Sequence, residues 1–204
     1  MINTIFLALA ALSLVSTAVG HPAKAKSRDF VLPSSLPASA SYTYLVPALY
    51  LNLTVKAVID LGPLATGGEQ LLGHILGGHL YSEPGFELQF SGTVKYAEDY
   101  LTSDADGAYA RPSVSLTVVP DNGFDLPFLM EIHGVQKAVP SLDIILAGNT
   151  TGLQVWTPTF FGGSANYSSL QDSVFVGSET ASSSPITGAF AVAMKFSKAR
   201  TPEV

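Results

Sequence analysis

The stretch that decides the fold is LYLNLTVK, residues 49–56. Leu49, Leu51, Leu53 and Val55 fall on one face, and Tyr50, Asn52, Thr54 and Lys56 on the other. Successive side chains of a strand point to opposite faces, so this alternation predicts a strand with one buried and one wet side. The pattern recurs in Phe86/Leu88/Phe90, Val114/Leu116/Val118, Phe128/Met130/Ile132 and Phe190/Val192/Met194/Phe196. Reversal signals separate these runs: Glu83-Pro84-Gly85, Asp104 to Gly107, and Asp121-Asn122-Gly123. Asp-Gly and Asn-Gly pairs tolerate the backbone angles of tight hairpins. No window carries a capped helical stripe. Leu71 to Leu80 is apolar, but Gly73, Gly77 and Gly78 make it a poor helix, so it reads as a strand bent at Gly77-Gly78. The expected fold is all-β, a single antiparallel barrel of about 8–10 strands with an interior cavity, because closure removes exposed sheet edges.

Around this domain, at 42–204, the chain has two further segments. The apolar run Ile5–Val15, followed by Ser16 to Gly20, predicts a secretory signal peptide over 1–20 with cleavage before His21. The run falls short of the ~20 residues a spanning helix needs, so stable membrane insertion is not expected. Residues 21–41, rich in Ala, Pro, Ser and Lys, read as a flexible leader. Three of the five Asn lie in glycosylation sequons, Asn52, Asn149 and Asn166, which fits a secreted, eukaryotic glycoprotein. There is no Cys, which excludes a disulfide framework, thiolate zinc sites and Cys nucleophiles. Residues 21–204 are long enough to hold a core without staples, since a domain of ~150 residues buries close to 70% of its unfolded surface. The net charge is −6 and no Lys/Arg cluster exists, so no nucleic-acid partner is expected.

Another informative stretch is VWTPTFFGGSANYSSLQDSVFVG, residues 155–177. Taken with residues 49–55, Ile75 to Leu80, Ser91 to Val94, Glu98-Asp99-Tyr100 and the turn at 121–123, it resembles the domain of unknown function 3237 family, here in a secreted, fungal-type member. The resemblance spans roughly residues 45 to 200 and implies an antiparallel β-barrel with an interior cavity and no agreed activity. The chain also departs from the family pattern. Trp156 stands where the pattern has Arg, and Phe161 where it has Glu. Ser169 and Gln171 replace a Trp and an Asn, while Tyr167, Leu170 and Phe175-Val176-Gly177 are kept.

Among candidate chemical groups, Asp99 ranks first. Asp99-Tyr100 takes the place of an Asp-Trp pair in the family pattern, and an acid flanked by Tyr96 and Tyr100 at a cavity mouth could act as a base with a pKa raised by partial burial. Glu131 and His133 share one strand face, which also fits a solvated outer wall. His74 and His79 face opposite sides of a regular strand, and a bulge at the glycines would bring them to one side without a clear third metal ligand. A cleaved chain would begin with His21, the start of a copper brace, but the leader that follows argues against it. No metal or cofactor is expected, and neither a hydrolase elbow nor a phosphate loop is present. Trp156, Phe161 and Tyr167 fall in a Gly- and Ser-rich segment expected between strands, where aromatic walls suit a small organic ligand. The expectation is a secreted barrel that binds a small apolar or aromatic molecule through Asp99, Tyr100, Trp156, Phe161 and Tyr167. The alternatives are a cofactor-free isomerase, cyclase or lyase using Asp99 as acid/base, and an interaction protein with a filled barrel.

Overall fold

The computed structural model describes residues 42–137 and 154–201. The segments expected to be a signal peptide and a leader, with His21, and the sequon at Asn149 lie outside them. Eight strands run in chain order: β1 Tyr44–Pro63, β2 Glu69–Ser82, β3 Ser91–Ser103, β4 Tyr109–Pro120, β5 Phe128–Lys137, β6 Gln154–Gly162, β7 Phe175–Ser183 and β8 Ala189–Arg200. Each pairs antiparallel with the next, and β8 returns to β1 from Tyr44↔Arg200 to Lys56↔Ala189, closing the barrel. This is the architecture the alternation predicted. Leu49, Leu51, Leu53 and Val55 point inward and are almost wholly buried.

Two local readings are corrected. Phe86 to Phe90 is not a strand but the β2–β3 connection. Pro84-Gly85 reverses the chain there, and Ser82 Oγ accepts from the Phe90 amide (3.0 Å) while donating to the Leu88 carbonyl (2.7 Å). Val155 to Gly162 is not an interstrand segment but belongs to β6, with Trp156, Pro158 and Phe160 inward and buried. The connection proper, from Gly163 to Val174, contains a 3₁₀ turn (Ala165–Tyr167) and a single helical turn, α1 (Ser168–Gln171). β2 does bend at Gly77, where Leu76 bulges from the ladder between Val55↔Ile75 and Thr54↔Gly77.

The two halves of the interior differ. An eight-stranded barrel is just wide enough for side chains to fill. The end holding the 83–90, 121–127 and 163–174 connections is filled by aromatics. Phe90 and Tyr167 meet edge to face at 5.2 Å, Phe128 lies 5.2 Å from Tyr167 and 6.2 Å from Phe160, and Phe175 packs on Phe86 and Phe160. Each such pair adds ~0.5–1.5 kcal/mol beyond the area it buries. Toward the hairpins at 64–68, 104–108 and 184–188, the inward positions turn small or polar: Gly73, Ala97, Asp99, Gly134, Glu179 and Ala181. The core thus forms a plug at one end and leaves the functional groups at the other.

Candidate functional site

The interior site begins at a β-bulge in β3. Val94 is inward and paired with Val118, and strict alternation would send Tyr96, Glu98 and Tyr100 inward after it. The register shifts between Val94 and Tyr96, so that Ala97, Asp99 and Leu101 take the inward face instead. One inserted residue exchanges the two faces of everything beyond it. Asp99 then lies across from Gly73 on β2 and Val114 on β4. Gly73 makes room for the carboxylate: a Cβ there would stand 3.2 Å from Asp99 Oδ2 and 3.3 Å from Val55 Cγ1. Among the described residues Asp99 Oδ1 is buried without a hydrogen-bond partner.

Opposite β3 in the eight-membered ring of strands runs β7. Its inward face carries Phe175, Gly177, Glu179 and Ala181, paired with Lys198, Phe196, Met194 and Val192 of β8. Glu179 therefore faces Asp99 across the lumen. Burial pushes Asp99 up to about 6. Burial, and then the charge of Asp99, pushes Glu179 up to about 8. At neutral pH the pair holds one proton, mostly on Glu179, and it titrates in two coupled steps. Both residues are half-buried.

Trp156 on β6 completes the set. It is 2% exposed and paired with Gly134 and Gly177, two residues without side chains. The indole lies against Gly134, where a Cβ would come within 2.7 Å of Cε3. Nε1 is buried without a hydrogen-bond partner among the described residues. Gln136, also inward on β5, is a buried amide on the same half. No cation shares this half among the described residues. Lys56, Lys95, Lys137 and Lys195 are exposed and Arg111 pairs with Asp104 outside, while Lys198 and Arg200 pair with Glu87 at the plugged end.

The five residues expected to share a mouth do not come together. Asp99 and Trp156 face the interior. Tyr100 points out, its hydroxyl donating to Glu98 Oε2 at 3.2 Å, because the bulge reverses its face. Phe161 lies on the outer face of β6, 45% exposed. Tyr167 belongs to the aromatic plug, where its hydroxyl donates to Asp125 Oδ2 at 3.0 Å; burial and that bond push it up to about 12. Glu131 and His133 sit on the outer wall. His74 and His79 both face outward, and His79 stacks on Tyr81. Asn52 is half-buried on the outer face with its Oδ1 accepting from the His79 amide, and Asn166 is exposed at the plugged end. A groove of about 400 Å³ crosses the outer wall of β2–β4, lined by Leu72, His74, Tyr96, Glu98 and Thr117 among others; neither inward acid borders it. Glu179 was missed, although its signal was present: continuing the alternation from Phe175 through Gly177 places it on the inward face.

Comparison with known sequences and structures agrees with this architecture. The family described as "Protein of unknown function (DUF3237)" matches residues 43–198. No curated protein matches the chain. A protein of unknown function from Clostridium acetobutylicum is similar in structure, with TM-score 0.59 and 21% identity, covering 78% of this chain and 100% of its own. A conserved protein of unknown function from Rhodopseudomonas palustris gives TM-score 0.59 at 18% identity, covering 78% and 99%. A β-barrel-like protein from Acinetobacter baumannii gives 0.50 at 17%, covering 80% and 100%. At these identities the likeness concerns the fold. Among the described residues no helix is long and apolar enough to cross a membrane.

Proposed function

This chain belongs to the DUF3237 family of proteins of unknown function, and we propose that it is a secreted, glycosylated barrel that binds a small, largely apolar or aromatic molecule in the half of its lumen that carries Asp99, Glu179 and Trp156. The observation that carries this reading is the pair of orphaned polar atoms inside that half, Asp99 Oδ1 and Trp156 Nε1. Buried polar groups are normally hydrogen-bonded, and each left unpaired costs about 1–3 kcal/mol. A ligand offering a donor to Asp99 and an acceptor to the indole would satisfy both, while its apolar body would meet Val114, Val55 and the indole face. Trp156 is the only Trp, so its fluorescence reports binding directly. Titration with small aromatic and alicyclic compounds, paralleled by native mass spectrometry, should give saturable quenching and a matching adduct. An indole that responds to none of them would count against the reading.

Secretion and glycosylation rest on the apolar N-terminal run and on sequons at Asn52 and Asn166, both on outward-facing surface. A second reading, a cofactor-free isomerase, cyclase or lyase with Asp99 as acid/base, is favoured by one specific observation: a second carboxylate, Glu179, opposite it.

A further inference from the structure

We propose that Asp99 and Glu179 work together as a proton-transfer dyad across the lumen, acting on a neutral carbonyl compound that carries an enolisable C–H bond. The inference rests on the acid–base reading above, and it adds the acid, the reaction and the substrate class. Its basis is placement. β3 and β7 stand opposite one another in the ring, and each turns one carboxylate inward at a level where neighbouring strands present only small or apolar groups. From β2 and β4 Asp99 is faced by Gly73 and Val114, and from β8 Glu179 is faced by Met194. Among the described residues neither acid meets any titratable group but the other, and the indole N–H of Trp156, which pairs with Gly177 of β7, is buried and unpaired.

Two carboxyl groups whose surroundings separate their affinities for a proton divide naturally into base and acid. Asp99, ionised at neutral pH, removes the proton from the carbon beside the carbonyl. The C–H electron pair moves into a new C=C bond, and the carbonyl π pair moves onto oxygen, which takes the proton of Glu179. The enol is then reprotonated by Asp99, at the same carbon or at the far end of a conjugated system, and its hydroxyl proton returns to Glu179. The cycle is proton-neutral and needs no oxidant, reductant or cofactor. The substrate's own charge is set by what the lumen lacks. With no inward cation in this half among the described residues, a carboxylate or phosphate ester would meet only like charge in low dielectric, whereas a neutral ketone would not.

The experiment is hydrogen–deuterium exchange into ketones, followed by proton NMR in D₂O at a pD of about 7, near the working range of such a pair. β-Tetralone, acetylacetone and cyclohexenone serve as probes, and Trp156 quenching reports whether each one binds. The expected result is exchange beside the carbonyl above the buffer rate for at least one probe that quenches. Asp99→Asn and Glu179→Gln should each lower it by about 10²–10⁴-fold, the usual contribution of a positioned acid or base. Glu179→Gln should also lose the alkaline limb of the rate–pH profile. Quenching with exchange at the buffer rate overturns the dyad and leaves the binding reading standing. No quenching by any probe overturns both for this substrate class. Rates unchanged in both variants also overturn the dyad. Should either variant fail to fold, carboxyl-carbon NMR of the unaltered protein decides: two coupled titrations above pH 5 support the dyad, and their absence overturns it.

Discussion

A missing Cβ positions the indole of Trp156. At Gly134 the added carbon would overlap Cε3 and Cδ2 of the ring and press within 3.1 Å of Pro112 Cγ, so only glycine lets the indole lie flat against β5. Gly134→Ala should therefore swing the indole out of place. Overpacking of this kind costs about 1–3 kcal/mol, which urea unfolding should register together with a shifted Trp emission maximum; an unchanged emission spectrum would show that the contact does not fix the ring. The residues around this contact were unevenly legible in the sequence. Trp156 reads in the sequence as a loop aromatic and not as an inward strand residue, because the glycines and serines after Gly162 mask a clean alternation of Val155/Thr157/Thr159/Phe161 against Trp156/Pro158/Phe160. Asp99 was named and Tyr100 named with it, although neighbours on a strand cannot both face inward. Which of them does is decided by a bulge that periodicity alone does not reveal. Glu179 is readable by simple continuation of β7, but the run Phe175-Val176-Gly177 reads as closed at its glycine.

At the scale of elements, the weakest seam is between β6 and β7, which pair only at Val155↔Ser178 and Trp156↔Gly177. Pro158, which has no amide proton to donate, fits a strand whose partnership on one side is so short. The chain covers this seam with the 163–174 connection, pinned by buried Leu170 and Tyr167 and by a knot around Asp125. Asp125 accepts from Asn122 Nδ2 (2.7 Å), Tyr167 Oη (3.0 Å) and Asn166 Nδ2 (3.1 Å). These bonds, Asn122's first, hold the Asp125 carboxyl below its usual range, so it is ionised at neutral pH. Tyr167→Phe removes a hydrogen bond to a charged group. Equilibrium unfolding should show a lower midpoint, and amide exchange in β6 should quicken more than in β4. Uniform exchange across the barrel would mean that the connection does not guard the seam. The sequence announced the strands here but not the cover, because three- and four-residue helical turns leave no periodic trace.

For the whole molecule, the inward acids make stability depend on pH in the opposite sense to ordinary surface carboxylates. In the folded protein Asp99 titrates near about 6 and Glu179 near about 8, against 3.8 and 4.5 when free. The folded state thus binds more protons than the unfolded state across that window, and stability must fall as pH rises from about 4 to about 8. Melting temperature should be highest on the acid side and drop toward pH 8.5. Glu179→Gln should flatten the curve and raise the melting temperature at pH 8.5 by at least about 2–4 °C, the shift about 1 kcal/mol produces in a domain of this size. A melting temperature that rises through neutrality would place these acids in water rather than in the lumen. The closure of the barrel has a separate consequence. Because Tyr44 lies beside Arg200 at the plugged end, the first and last strands both meet solvent on the side away from Asp99 and Glu179. Anything attached at Tyr44 or Arg200 is therefore joined at the end of the barrel opposite the one that carries these two carboxyl groups.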